Sequence, residues 1–130
     1  MRLAVIADIH GNSLALHAVL DDIARRGIGF MCNLGDCVSG PLWPRETLAL
    51  LQATAIPTVR GNHDRWVAEG GGGASDAFAR DDLDPAQVAR LGALPLTLEV
   101  APGVLAFHAR PGDDNAYLLE DAVGGDARRQ

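Results

Sequence analysis

Lysine is absent from this chain, and all eleven basic residues are arginine. A planar guanidinium suits bidentate contact with phosphate oxygens, but a compositional bias towards Arg, Ala and Gly accounts for most of these positions. Cysteine is scarce. Cys32 and Cys37 fall outside any metal-ligand spacing, and without an export signal two cysteines read as reduced core thiols. Cys37 directly follows Asp36, yet a structural role is the simpler reading there too. No apolar run approaches the roughly 20 residues that span a bilayer. Leu3 to Ile9 is too short for a signal sequence and is broken by Asp8. A soluble, cytoplasmic protein without a membrane partner is therefore expected. Positive charge is in deficit as well. A formal net charge of −6 excludes broad electrostatic binding to nucleic acid or to anionic membranes, leaving only a local positive pocket open.

With 130 residues, 48% of them hydrophobic, the chain has the size and composition of one packed domain, 1–130. Arg2 to Ala7 reads as a buried strand. Asn12 or Ser13 can cap a helix that runs to about Arg26 and is closed by Gly27, with Leu16, Val19, Leu20 and Ile23 on one face. A second strand covers Ile28 to Leu34. Pro44 suits the first position of a helix through Leu51, and Pro57 precedes a short third strand ending at Arg60. This alternation implies parallel pairing in an α/β fold. The glycine run within Glu69 to Ser75 reads as a mobile loop, and the acidic insert, residues 70–84, as solvated. A short helix from Pro85 to Leu91 leads to two strands, Leu96 to Val100 and Val104 to His108, joined by a hairpin turn at Ala101-Pro102-Gly103. Ala116 to Leu119 is a last short apolar stretch, and there is no internal repeat.

Chemistry-bearing side chains collect where the strands run out. Asp8 and His10 follow the first strand, Gly35-Asp36 the second, Gly61-Asn62-His63-Asp64 the third, and His108 the last. In an open α/β sheet the crevice beyond the carboxyl ends of the strands is where ligands bind. Singly, each group has an ordinary explanation: Asp36 as a turn residue, Asn62 as a cap, His63 and Asp64 as a surface pair. Together they read as a metal site. Mixed oxygen and imidazole ligands suit manganese, zinc, iron or nickel, and a carboxylate such as Asp36 can bridge two ions. Gly11 lets the backbone approach a ligand at the following helix start. Arg60, Arg65 and Arg110 stand out from the other arginines because each lies close in sequence to a proposed ligand. His17, inside the first helix, reads as structural.

The order and spacing of Asp8-x-His10, Gly35-Asp36 and Gly61-Asn62-His63-Asp64 resemble the calcineurin-like metallophosphoesterase superfamily. His108-Ala109-Arg110-Pro111, followed by Asp113, Tyr117 and Leu118, resembles the next motif of its small bacterial phosphodiesterase-like branch, with Ala109 in place of the usual glycine. The resemblance runs from Met1 to about Glu120. It implies a two-sheet α-β-β-α sandwich with two divalent metal ions, Mn2+ foremost, at one edge. Asp8 and His10 would hold the first ion, Asp36 would bridge, and Asn62 with His108 would hold the second. His63 would face the phosphate, with Asp64 orienting its ring, and Arg65 or Arg110 could clamp a phosphate oxygen. The implied reaction is hydrolysis of a small phosphodiester or phosphomonoester by a metal-activated hydroxide, with His63 assisting the leaving group.

One part of the family pattern is missing. A later Gly-His-x-His motif usually supplies further ligands to both ions, but no histidine follows His108. The resemblance therefore implies a carboxyl-terminally truncated, incomplete domain, with under-coordinated ions and an apolar face left open that favours association, such as a homodimer. The alternative to an active phosphoesterase is a weak or inactive metal-binding fragment, or an interaction module on the same fold.

Overall fold

The computed structural model describes residues 1–118, 120–123 and 126–129. Leu119, which ends the apolar stretch from Ala116, lies outside the described residues. Strand β1 (Leu3–Ile6) pairs in parallel with β2 (Phe30–Asn33), Leu3 opposite Phe30 and Ile6 opposite Asn33. The expected third strand is reduced to a parallel bridge between Asn33 and Thr58. There the Asn33 N–H donates to the Pro57 carbonyl at 2.8 Å and the Val59 N–H to the Asn33 carbonyl at 3.0 Å. The next residue turns away, since the Arg60 N–H bonds to Pro95 instead.

Helices make the parallel crossovers. In α1 (Ser13–Arg25) the Asn12 side chain caps the first turn by accepting the Ala15 N–H at 3.0 Å. Leu16 and Ile23 of this helix are buried, but Val19 is 43% exposed and does not share their face. Helix α2 (Pro44–Thr54) starts on proline, which lacks the N–H that a first turn leaves unpaired. Two further helices occupy the segments left without one in the sequence reading: α3 (Asn62–Glu69) and α4 (Ala74–Asp82). In α3 the first turn is taken up by polar site residues, so little apolar periodicity is visible. In α4 the periodicity is inverted, because the small Ala79 is fully buried while Phe78 is 46% exposed. The insert 70–84 is thus an ordered helix docked on the core, not a solvated loop.

Helix α5 (Pro85–Gly92) is capped by Asp84, which accepts the Gln87 N–H at 2.8 Å. It precedes an antiparallel hairpin of β3 (Thr97–Ala101) and β4 (Val104–Phe107), with a register shift between Glu99 and Ala101. Backbone strands β5 (Glu120–Val123) and β6 (Asp126–Arg129) form a second hairpin. The main core joins Leu16, Val38, Leu48, Val67, Ala79 and Leu91, so all five helices meet in it. A second cluster of Cys32, Val59 and Ala106 packs the β3–β4 hairpin against the parallel strands and brings the end of β4 to the strand ends that carry the site.

Candidate metal centre

The loops that follow β1 and β2 run side by side. The Asp8 N–H donates to Gly35, His10 to Asp36 and Gly11 to Cys37, at 2.9–3.0 Å. Asp8, His10 and Asp36 each adopt left-handed backbone, with φ of 55°, 49° and 56°. Such conformations cost on the order of 1 kcal/mol or more for residues other than glycine and gather at functional sites. Their effect is to turn three strand-end side chains into one place, where ligand atoms of Asp8, His10 and Asp36 all lie within 4.8 Å of one another. The loop after Val59 presses equally close, since a Cβ on Gly61 would collide with the Asp36 carboxylate. Asp36 Oδ1 in turn accepts the His63 N–H at 3.0 Å.

The two histidines fix the chemistry. His10 directs Nδ1 at the Ser39 carbonyl, 2.6 Å away, and His108 directs Nδ1 at the Leu34 carbonyl, 2.7 Å away. A carbonyl only accepts, so each Nδ1 carries a proton, and each ring in its neutral form offers an Nε2 lone pair. Both lone pairs face the same atom, because Asp36 Oδ2 lies 3.7 Å from His10 Nε2 and 3.6 Å from His108 Nε2. Asp8 Oδ1 is 3.6 Å from His10 Nε2, and Asn62 Oδ1, as oriented, is 3.0 Å from His108 Nε2. Acceptors facing acceptors repel unless cations stand between them, and a backbone carbonyl orienting the far nitrogen is the usual support of a metal-bound imidazole. Asp8, His10 and Asp36 could therefore hold a divalent ion. Burial pushes the Asp36 carboxyl above the usual carboxylate range, and the neighbouring histidines pull the other way.

Asp64 has a different task from the one expected. Its buried carboxylate accepts the N–H groups of Asp36 and Cys37 at 2.8 Å and of Gly61 at 2.9 Å, tying the second and third loops together. It therefore does not orient the His63 ring. That ring is held by Asp76 of α4, whose Oδ1 lies 2.7 Å from His63 Nδ1 and 2.8 Å from Ser39 Oγ. Burial raises the Asp76 pKa, but hydrogen bonds from His63, the Gly73 N–H and Ser39 outweigh it and leave the carboxyl below its ordinary value. The residues just before Asp76 gave the only warning in the sequence, a glycine run that permits a tight turn around a side chain.

Neither Arg65 nor Arg110 reaches the ligands. Arg65 makes a forked ion pair with buried Asp114, with Nη2 to Oδ1 at 2.8 Å and Nε to Oδ2 at 2.9 Å, and Arg60 adds a contact at 3.3 Å. Arg110 donates to the Tyr117 carbonyl. A phosphate clamp by these arginines finds no support in this geometry, because the guanidinium groups are engaged elsewhere. Asp8, His10, Asp36, Asn62, His63 and His108 line an open cavity of about 760 Å³. Val5, Leu105, Tyr117 and Leu118, each more than half exposed, also line it.

Parallel strands that end in carboxylates and imidazoles place a candidate metal-binding group at the edge of an α/β fold, and comparison with known proteins gives its family. The chain matches the calcineurin-like phosphoesterase family over residues 1–126 and belongs to it. It is similar to a metallophosphoesterase from Sphaerobacter thermophilus, with a TM-score of 0.73 and 28% identity, over 94% of this chain and 52% of that one. Its fold is also similar to that of hypothetical protein PH1004 from Pyrococcus horikoshii OT3, with a TM-score of 0.65 and 20% identity, over 96% of this chain and 52% of that one. A stretch of 65 residues, half of this chain, is 47% identical to an uncharacterized protein of Methanocaldococcus jannaschii. The chain thus spans 27% of that curated relative's length and about half of each of those solved chains.

Proposed function

We propose that this chain is a metal-dependent phosphoesterase that hydrolyses a small phosphodiester or phosphomonoester at a two-ion site. The observation that carries the reading is Asp36 Oδ2 set between two imidazole lone pairs, at 3.7 and 3.6 Å. Asp8 and His10 would hold one ion and Asn62 and His108 the other, with Asp36 shared. Divalent ions bound there, Mn2+ foremost and Zn2+, Fe2+ or Ni2+ as alternatives, would neutralise the phosphate oxygens and acidify water enough to supply hydroxide near neutral pH. The chain's own residues do the rest. His63 lines the cavity beside the ligands, its ring 5.4 Å from that of His10. With Nδ1 engaged by Asp76, Nε2 is the atom left to protonate a departing alkoxide.

An open cavity of about 760 Å³ suits a small diester or a cyclic nucleotide, and the net charge of −6 disfavours long nucleic acids. Among the described residues no helix is long and apolar enough to cross a membrane; the cytoplasm is our proposed location. A second reading, a metal-binding fragment or interaction module with little turnover, is favoured by one observation. Apolar side chains stand exposed along the cavity that the candidate ligands line. Manganese-dependent hydrolysis of bis-p-nitrophenyl phosphate separates the two. Activity that falls at least about a hundredfold in both His63→Ala and Asp36→Asn supports the enzyme. Turnover no greater than that of the variants supports the fragment.

A further inference from the structure

We propose that Asp76 is the positioning residue of His63, which makes the glycine turn and helix α4 a working part of the active centre. The side chain of Asp76 is 2% exposed, and its two oxygens are divided between two tasks. Oδ2 accepts the Gly73 N–H at 2.7 Å and so closes the first turn of its own helix. Oδ1 faces His63 Nδ1 at 2.7 Å and takes the Ser39 hydroxyl at 2.8 Å. The turn that delivers it is specific. Gly72 has φ of +79°, and a Cβ there would run into the Asp76 carboxylate.

An ionised carboxylate only accepts, so the proton in the contact between His63 and Asp76 sits on Nδ1. Nε2 then carries the lone pair of the neutral ring. Trp66 packs edge-on against the same ring with centroids 4.7 Å apart, and Ser39 joins this pair to the ligand His10 through its carbonyl. When Nε2 takes a proton, the buried carboxylate stabilises the imidazolium. When the Nε2–H bond breaks and an O–H bond forms on a leaving alkoxide, the ring returns to the neutral Nδ1–H form, and Asp76 has neither gained nor lost a proton. The catalytic half of this inference rests on the phosphoesterase reading; the tautomer half rests on geometry alone.

The test reads the His63 ring in 15N-labelled, metal-free protein by NMR, at a pH where imidazoles are neutral. The expected pattern is a protonated Nδ1 and a bare Nε2 in the unaltered protein, replaced by a tautomer mixture in Asp76→Asn and retained in Ser39→Ala. With manganese and a diester substrate, Asp76→Asn is expected to lower kcat about tenfold or more, with KM and metal stoichiometry unchanged. A proton on Nε2 in the unaltered protein overturns the proposal, as does an unchanged ring pattern in folded Asp76→Asn. If that variant does not fold, the pattern of the unaltered protein decides. Absence of turnover by the unaltered protein overturns only the phosphoesterase reading, because the ring is observed without metal or substrate.

Discussion

Single side chains at this centre divide into those that would meet a cation and those that hold the loops in register. Asp64 belongs to the second group. Its carboxylate gathers N–H groups from residues on both sides of the site, so removing it leaves several buried donors without a partner. Asp64→Ala is expected to destabilise the fold by about 3 kcal/mol or more in urea unfolding, whereas His63→Ala costs well under half of that. Equal losses would mean that Asp64 staples nothing. Asp114 acts at the same scale. Hydrogen bonding from Arg65 holds its pKa below the ordinary carboxylate value, against the effect of burial. A depressed folded-state pKa adds stability that is fully present above the unfolded-state value and is lost as pH falls through the folded-state value. Thermal melts of Asp114→Asn should therefore lie below those of the unaltered chain near neutrality and converge with them in the acid range; a constant gap across that range would contradict the ion pair.

Among the elements, α4 shows how a segment of plain composition enters a site. Gly72→Ala places a Cβ at positive φ and against Asp76, so a loss of about 1–3 kcal/mol is expected, together with release of the His63 ring. Gly29→Ala, where nothing lies within reach of an added Cβ, serves as the control. Equal melting temperatures for the two variants would argue against the turn. This element was the least legible in the sequence. Its burial depends on Ala79 and its function on one acidic residue among several, so neither periodicity nor composition singles it out. The parallel strands, α1, α2 and the β3–β4 hairpin were legible, because caps, prolines and apolar runs mark them locally. The third strand was not, since its length is set by tertiary pairing: one bridge at Thr58 and then a turn towards Pro95. At the site, Asp8, His10, Asp36, Asn62, His63 and His108 were marked by their strand-end positions, and all six line one cavity. The partners of His63 and Asp64 depend on where α4 and the loop after β2 pack, which spacing along the chain does not encode.

For the whole molecule the decisive feature is convergence: the loops after β1, β2 and Val59 and the end of β4 bring Asp8, His10, Asp36, Asn62 and His108 to one cavity. Burying the Asp36 carboxylate opposes folding unless positive charge offsets it. Ions that bind only the native state stabilise it by about 2.7 kcal/mol per site at a hundredfold excess over Kd. Exposed apolar side chains, Val5 and Leu105 among them, line the same cavity as these residues. The most direct test is calorimetric titration of the purified chain with Mn2+. Two ions bound per chain at micromolar concentrations are expected, with one site lost in His10→Ala, the other in His108→Ala, and both weakened in Asp36→Asn. No binding of manganese or zinc at those concentrations, or the same stoichiometry in all three variants, would contradict a metal centre built around Asp36.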